Sequence, residues 1–398
     1  MARAAIWRRL VAIGLLASEI TAQICPGIGY PGVASQDDLD TIAHSCTTID
    51  GDFYISHNYT GSFVLSNVTN ITGQLKGTDY KYGRALQLTS FELPDLQHVS
   101  SLSVRFVPSL EKWSLPQLAY TNELYVTIPS KLENLEFPAL TELGTTQIRG
   151  NLSSISFDSL KIVRFRLSIG NRYSVDDITL QTRTSMNISL PALENITAFN
   201  VYGRVSRIDV PELAYVPFES VLMMSESLEF DLVDDHQISL DIPKLHHLDG
   251  GLKVRGGVTS ISLPSLRKIP TGTWDTENHG ANQLQGWIEI YPSANLSLDL
   301  PIESLYSLSL IGNVSSVHLP NLQNWDWLSV ESFIPFNCST FESQFNATKA
   351  QLNGDEIDRN VVCTSFPAPQ NSASGVYVWG FASMVVLVIA VLGASVAF

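Results

Sequence analysis

One short phrase, written ten times, limits what this chain can fold into. It runs Leu93-Pro-Asp-Leu96, Leu115-Pro-Gln-Leu118, Phe137-Pro-Ala-Leu140, Phe157-Asp-Ser-Leu160, Leu190-Pro-Ala-Leu193 and Val210-Pro-Glu-Leu213. It continues as Ile242-Pro-Lys-Leu245, Leu263-Pro-Ser-Leu266, Leu300-Pro-Ile-Glu-Ser-Leu305 and Leu319-Pro-Asn-Leu322. Most neighbouring copies lie 19–22 residues apart, and three intervals are stretched to 32–37. A fixed period of this size marks stacked supersecondary units that bury one continuous core.

A second apolar pattern lies between the phrases: Leu102/Val104, Leu124/Val126/Ile128, Leu167/Ile169, Leu252/Val254, Ile288/Ile290, Leu308/Leu310 and Leu328/Val330. Alternation with period two is the signature of strands. Each repeat therefore supplies at least two short strands separated by corners, and stacking aligns them into parallel sheets around an apolar interior. The proline of each phrase has no N–H to give a ladder, which predicts that it sits at a corner. In Asn187-Ile-Ser-Leu190 and Asn295-Leu-Ser-Leu298 the alternation turns aliphatics inward and Asn and Ser outward. A leucine-rich horseshoe competes, but its Asn/Cys ladder position is missing and no helical period fills the second half of the repeat. The expected fold is an all-β parallel solenoid over residues 52–335.

The ends of a solenoid expose apolar rungs and need caps. Residues 23–51 form the expected N-terminal cap, where Ser35-Gln-Asp-Asp38 starts a short helix carrying Leu39, Ile42 and Ala43. Residues 336–365 form the other, with a second short helix over Phe341 to Leu352, stopped by Gly354. The chain has only four cysteines, Cys25, Cys46, Cys338 and Cys363, which allow three connectivities. The long cysteine-free stretch between Cys46 and Cys338 favours two local pairs, one closing each cap. With so few cysteines the core must be hydrophobic.

Residues 1–22, with Arg3, Arg8 and Arg9 before the apolar run Leu10 to Ala17, read as a signal peptide cleaved near Ala22. Residues 376–398 are apolar around the run Val385 to Leu392, and no Lys or Arg follows Arg359. A brief linker at 366–375 precedes that tail. Its small residues make Asn371, Ser372 and Ser374 the candidate attachment positions of a GPI anchor, a tailless membrane span being the alternative. Asn-x-Ser/Thr occurs at Asn58, Asn67, Asn70, Asn151, Asn187, Asn195, Asn295, Asn313, Asn337 and Asn346, against about four expected by chance. The excess points to the secretory pathway and to N-glycosylation. The formal charge of −15 falls to about −17 without the leader, so nucleic acid is not an expected partner. Acidity here signals solubility rather than a recruited cation.

The repeated Leu-Pro-x-Leu phrase, terminal cysteine pairs, many sequons and the C-terminal signal together resemble the fungal GPI-anchored cell-wall organisation proteins. That group includes sporulation-specific and extracellular-mutant wall proteins, and its ectodomain is similar to the L domains of insulin and EGF receptors. The resemblance covers roughly residues 24 to 375. It implies a right-handed β-helix, a place at the plasma membrane or in the wall, and a role in wall integrity without catalytic activity. Wall glycan or other wall proteins are the expected partners.

Several constellations bear on chemistry. Gly27-Ile-Gly-Tyr-Pro-Gly32 matches a dinucleotide pattern, but Pro31 breaks the turn and no strand leads in, so it reads as a flexible mature terminus. Glu229-Phe-Asp231-Leu-Val-Asp234 resembles a glycoside hydrolase strand, with Glu229 and Asp231 on one face. It falls in a stretched interval and ends in Asp, so it reads as a solvated acidic loop, with weak cation binding by Asp231, Asp234, Asp235 and His236 as a minor alternative. His246-His247 lacks zinc-site spacing. Trp325 and Trp327 flank Asp326 on an expected strand and suit capping better than glycan contact, and Trp113, Trp274 and Trp287 lie elsewhere on the solenoid. No catalytic, cofactor or metal residue is assigned. The leading reading is a non-enzymatic wall-supporting surface protein. Its rivals are a β-helical polysaccharide-active enzyme and a receptor-like ligand binder.

Overall fold

The structure, a computed structural model, describes residues 23–77, 85–128, 132–171, 184–217, 227–234, 236–271, 286–351 and 360–366, with side chains undescribed at 347–351. The expected leader and anchor signal, Asn371, Ser372, Ser374, Asp235, Trp274, Leu352 and Gly354 lie outside these residues. Within them the chain is a parallel β-solenoid. Each coil runs through a long strand, turns, passes through a short strand and closes on the Leu-Pro-x-Leu corner.

The long strands stack in chain order as one sheet. They are Ile24–Val33, Thr48–Ile55, Asn70–Gly77, His98–Arg105, Tyr120–Ile128, Glu142–Gly150, Ile162–Gly170 and Asn195–Gly203, then Leu228–Leu232, Leu252–Gly256, Trp287–Pro292, Ser307–Gly312, Trp327–Ser332 and Asn360–Ser365. Tyr215–Val216 and His247–Leu248 join the same sheet beside Asn195–Gly203, bringing it to 16 strands. Three short parallel sheets follow one another along a second face. The first is Thr60–Val64, Gln87–Glu92 and Lys112–Ser114, and the second Asn134–Glu136, Ser154–Ser156, Met186–Ser189 and Val205–Asp209. The third is Ile238–Asp241, Val258–Ser262, Leu296–Asp299 and Val314–His318.

The repeated phrase forms the corner, as its proline predicts. The Leu118 N–H donates to Leu115 O at 3.3 Å, Leu193 to Leu190 O at 3.2 Å and Leu266 to Leu263 O at 3.1 Å. Each is a four-residue turn with proline second, where its fixed φ fits and no N–H is required. The ladder resumes on both sides. Leu93 N–H donates forward to Ser114 O at 2.9 Å, while Gln97 N–H donates back to Thr69 O at 2.8 Å. The apolar residues at both ends of the phrase point inward and are buried.

Inside, matched positions form columns. Leu75, Leu102, Leu124, Thr146, Leu167, Phe199, Leu228, Leu252, Ile288, Leu308 and Leu328 stand in register from coil to coil, none more than 1% exposed. Burying each large apolar side chain contributes roughly 1.5–3 kcal/mol, which makes this interior the main stabilising term. In the N-terminal coils the second face adds an aromatic stack: Phe63–Phe91 at 5.2 Å, Phe91–Trp113 at 4.9 Å, Trp113–Phe137 at 6.0 Å and Phe137–Phe157 at 4.9 Å.

Both ends carry a helix. At the N-terminal end, helix Gln36–Ser45 opens with a capping box in which Ser35 Oγ accepts from Asp38 N–H and Asp38 Oδ2 accepts from Ser35 N–H. The Ala34 N–H that also donates to Asp38 is the largest cause holding that carboxyl below its usual pKa. Leu39 enters the core, Ile42 and Ala43 pack against it, and Cys25 is bonded to Cys46. At the other end, helix Cys338–Gln351 begins three residues before the expected start, because Asn337 Oδ1 accepts the Thr340 N–H at 3.0 Å and caps it. Phe341 and Phe345 cover the last coil, and Cys338 is bonded to Cys363 on the final long strand.

One expectation fails here. Gly27 to Gly32 is no flexible terminus; it lies on strand Ile24–Val33, paired parallel with Thr48–Ile55. Glycine permits the close approach of the two strands. A Cβ at Gly27 would stand 2.7 Å from Asp52 O.

Candidate functional site

The outward-facing side chains of the long sheet form columns as regular as the inward ones, with different chemistry at each rung. One column reads Ser168, Asn200, Glu229, Lys253, Glu289, and the next reads Tyr202, Asp231, Arg255, Tyr291. The expectation of a solvated acidic loop is thereby corrected: Glu229 and Asp231 belong to strand Leu228–Leu232 and are half-buried. Their placement on one face follows from the alternation. Phe230 between them fills the core, so the strand is held from within.

Side-chain hydrogen bonds link the rungs. Tyr202 Oη donates to Glu229 Oε2 at 2.8 Å, and Asn200 Nδ2 donates to the same oxygen at 3.1 Å and to Tyr202 Oη at 2.7 Å. Two rungs on, Tyr291 Oη donates to Glu289 Oε2 at 3.2 Å, and the Arg255 guanidinium lies 5.0 Å over the Tyr291 ring. Burial, joined by the hydrogen bond to Glu229, pushes the Tyr202 phenol up to about 12. It remains a donor at any physiological pH. Burial is also the largest cause raising Tyr291.

Beside this ladder lies a cleft of about 400 Å³ lined by Asp231, Leu232, Val233, Asp234, Arg255, Gly256 and Tyr291. The floor at Gly256 has a positive φ, and a Cβ there would run into Leu232 O, so only glycine lets the two coils come this close. Charged, phenolic and apolar groups thus meet in one recess. The arrangement can accept and donate hydrogen bonds and offer a ring face. Within the ladder Glu229 Oε2 accepts hydrogen bonds from two donors, Tyr202 and Asn200.

The other singled-out residues scatter. Among the sequons, Asn58, Asn67, Asn151, Asn187, Asn295, Asn337 and Asn346 are exposed, and Asn70, Asn195 and Asn313 half-buried. Trp325 is fully buried and meets Phe345 edge-on at 5.6 Å, whereas Trp327 is 42% exposed. Trp113 belongs to the aromatic stack, and Trp287 is half-buried at the start of its strand. His247 stacks on Tyr215 at 4.2 Å, and its Nε2 lies 2.8 Å from Asp249 Oδ1 without hydrogen-bond alignment. Among the described residues no group of three or more His, Cys, Asp or Glu is placed to hold a metal ion. The tyrosine and arginine members of the ladder escaped sequence reasoning. The signal available was the register that sets Tyr202, Asp231, Arg255 and Tyr291 side by side.

Comparisons with known proteins place the chain. Protein ecm33 of Aspergillus fumigatus is 25% identical over 333 residues, spanning 79% of this chain and 76% of that protein. A cell surface GPI-anchored protein of Arthroderma benhamiae is 26% identical over 198 residues, spanning 49% of this chain and 45% of that protein. No protein-family model and no solved structure matches. Over much of its length the chain is thus similar to an Ecm33 protein and, over about half, to a fungal cell surface GPI-anchored protein.

Proposed function

We propose that this protein supports the organisation of a fungal cell wall from the cell surface, as a GPI-anchored, N-glycosylated scaffold and not as a catalyst. The Arthroderma benhamiae relative is named a cell surface GPI-anchored protein, and that location is extended to this chain. The observation that carries the non-catalytic part is the outer ladder, where Glu229, the best hydrolase candidate, is tied to Tyr202 and Asn200 on a rigid sheet. A retaining or inverting glycosidase needs one carboxyl held protonated and a second within a fixed distance on the far side of the bond. The solenoid instead presents an extended polar face suited to holding wall components.

Two measurements test this reading. Phosphatidylinositol-specific phospholipase C should release the protein from isolated membranes, with peptides from residues 376–398 missing from the mature chain. Finding those peptides in the mature protein overturns the anchor. Incubation with wall polysaccharides should liberate no reducing ends above background. Release that disappears in Glu229→Gln would replace the scaffold with a hydrolase.

A further inference from the structure

We infer that the cleft at Asp231, Asp234, Arg255 and Tyr291, together with the ladder beside it, binds a neutral hexose oligosaccharide. The inference rests on the wall-support reading and gives it a specific contact surface. Four features of the ladder point to that ligand class.

The first is composition. The recess combines carboxylates, a guanidinium and a phenol with a small apolar floor from Leu232, Val233 and Gly256. Sugar hydroxyls are at once donors and acceptors, so they match groups of both kinds, and a pyranose ring has an apolar face that packs against an aromatic ring. A protein partner would instead be drawn by an apolar core of buried anchors.

The second is charge. Around the cleft and ladder Glu229, Asp231, Asp234 and Glu289 outnumber the cations Lys253, Arg255 and Arg166, the last acting on Tyr202. That excess of negative charge, within a strongly acidic chain, repels uronate or phosphate-bearing polymers and leaves neutral sugars unaffected.

The third is preorganisation. Tyr291 is held through Oη by Glu289 and across its ring by Arg255, and Tyr202 is held by Glu229 and Asn200. Side chains already fixed lose little entropy when a flexible sugar docks. The fourth is spacing. Tyr202 and Tyr291 stand three rungs apart in one column. Rungs of a sheet are separated by about 4.8 Å. A pyranose unit has nearly that length, so an oligosaccharide laid along the solenoid axis would place about one ring per rung. The cleft, at the lower end of small-ligand volumes, would hold one end of it.

The same sheet carries its own control. Arg105 lies 4.5 Å over the Tyr125 ring several coils away, an Arg–Tyr pair of similar geometry outside the cleft. The experiment is isothermal titration of the mature glycoprotein, its N-glycans trimmed enzymatically because Asn313 bonds to Pro292, the rung neighbour of Gly256. The probes are hexamers of β-linked glucose, of mannose and of N-acetylglucosamine, with an oligogalacturonate as the anionic comparison. At least one neutral hexamer should bind, more tightly than its dimer, and the oligogalacturonate should not. Tyr291→Ala and Asp231→Asn should each weaken binding about tenfold or more, with Tyr125→Ala unchanged and circular dichroism unaltered. Absence of binding by every neutral hexamer overturns the inference, as does equal binding by Tyr291→Ala or preference for the anionic oligomer. Failure of the wall role is read separately: a strain lacking the protein would show no wall-stress sensitivity, while the titration result would stand.

Discussion

Leu252 and Val254 point inward and Lys253 and Arg255 point outward along one strand, and the two sides obey different rules. Inward columns are filled almost throughout by close-packed aliphatic or aromatic side chains, and their contribution is a sum over many similar contacts. Outward columns change character at each rung, from Ser168 to Asn200, Glu229, Lys253 and Glu289. The inside therefore sets whether the chain folds, and the outside sets what it touches. Function can drift along the outer face without disturbing the coil, because the core beneath asks nothing of it.

The sharpest way to break that contrast is to put charge inside. Leu252→Asp combined with Val254→Asp would bury two carboxylates without partners, at a cost of several kcal/mol each, against a typical total stability of about 5–15 kcal/mol. The double variant should fail to reach the cell surface. Lys253→Ala, between them, should be secreted normally with stability within about 1 kcal/mol of the parent. Comparable loss for Lys253→Ala would show that the outer ladder also holds the fold.

Phe91→Ala probes the same contrast on the second face. Phe91 lies in the middle of the aromatic stack and is fully buried. Its removal leaves a cavity and should cost about 3–5 kcal/mol in denaturant unfolding. Trp327→Ser, at a largely solvent-facing side chain, should change little.

These contrasts also mark what the sequence could reveal. The corners and inner columns were legible because Leu-Pro-x-Leu, or a close variant such as Phe157-Asp-Ser-Leu160, and the period of two recur in most coils. The helical caps were legible from Ser35 to Asp38 and from the cysteine spacing. Glu229 and Asp231 were misread because the interval between Val210 and Ile242 is stretched, so the local repeat offered no register for the strand within it. Of the two tryptophans expected to cap, Trp325 does so against Phe345, and Trp327 does not, for a different reason. Asp326 and Trp327 N–H groups both donate to Tyr306 O at the corner that precedes strand Trp327–Ser332, and across that corner Trp325 lies inside while Trp327 faces outward. The outer patch was hidden most deeply: its members sit on different coils, far apart along the chain, and meet only through pairings that the stretched intervals determine.

A smaller effect separates the caps from the coils. Cys338→Ser with Cys363→Ser removes the bridge that ties the C-terminal helix to the last long strand. By the loop-entropy model, closing a loop of this size stabilises by about 3 kcal/mol. The loss should be felt first in helix Cys338–Gln351, seen as faster hydrogen exchange there while the middle coils stay protected. Equal acceleration throughout would mean that the coils unfold as one unit with their cap.

The smallest effect compares two tyrosines, one facing the core and one on the outer ladder. Tyr59 is fully buried and donates to Ser62 O at 2.7 Å, and Tyr202 is half-buried and donates to Glu229. Both phenols are pushed up to about 12, with burial the largest cause in each. The raised folded-state value means the protonated phenol is favoured by folding, so that contribution is complete below about pH 10 and is lost as pH rises from about 10 to 12. Absorbance titration should therefore show Tyr59 and Tyr202, with Tyr291 also delayed, ionising after the exposed tyrosines, with thermal stability falling over the same window. The two then part company. Glu229→Gln removes a neighbouring charge from Tyr202 but none from Tyr59, whose added causes are Asp40 and Asp38. Only Tyr202 should titrate earlier in that variant, and only part of the way, since burial remains. A Tyr202 that ionises with the exposed tyrosines in the parent protein would mean the ladder bonds are not formed in solution, and the outer face would then lack the fixed geometry that distinguishes it from an ordinary solvated surface.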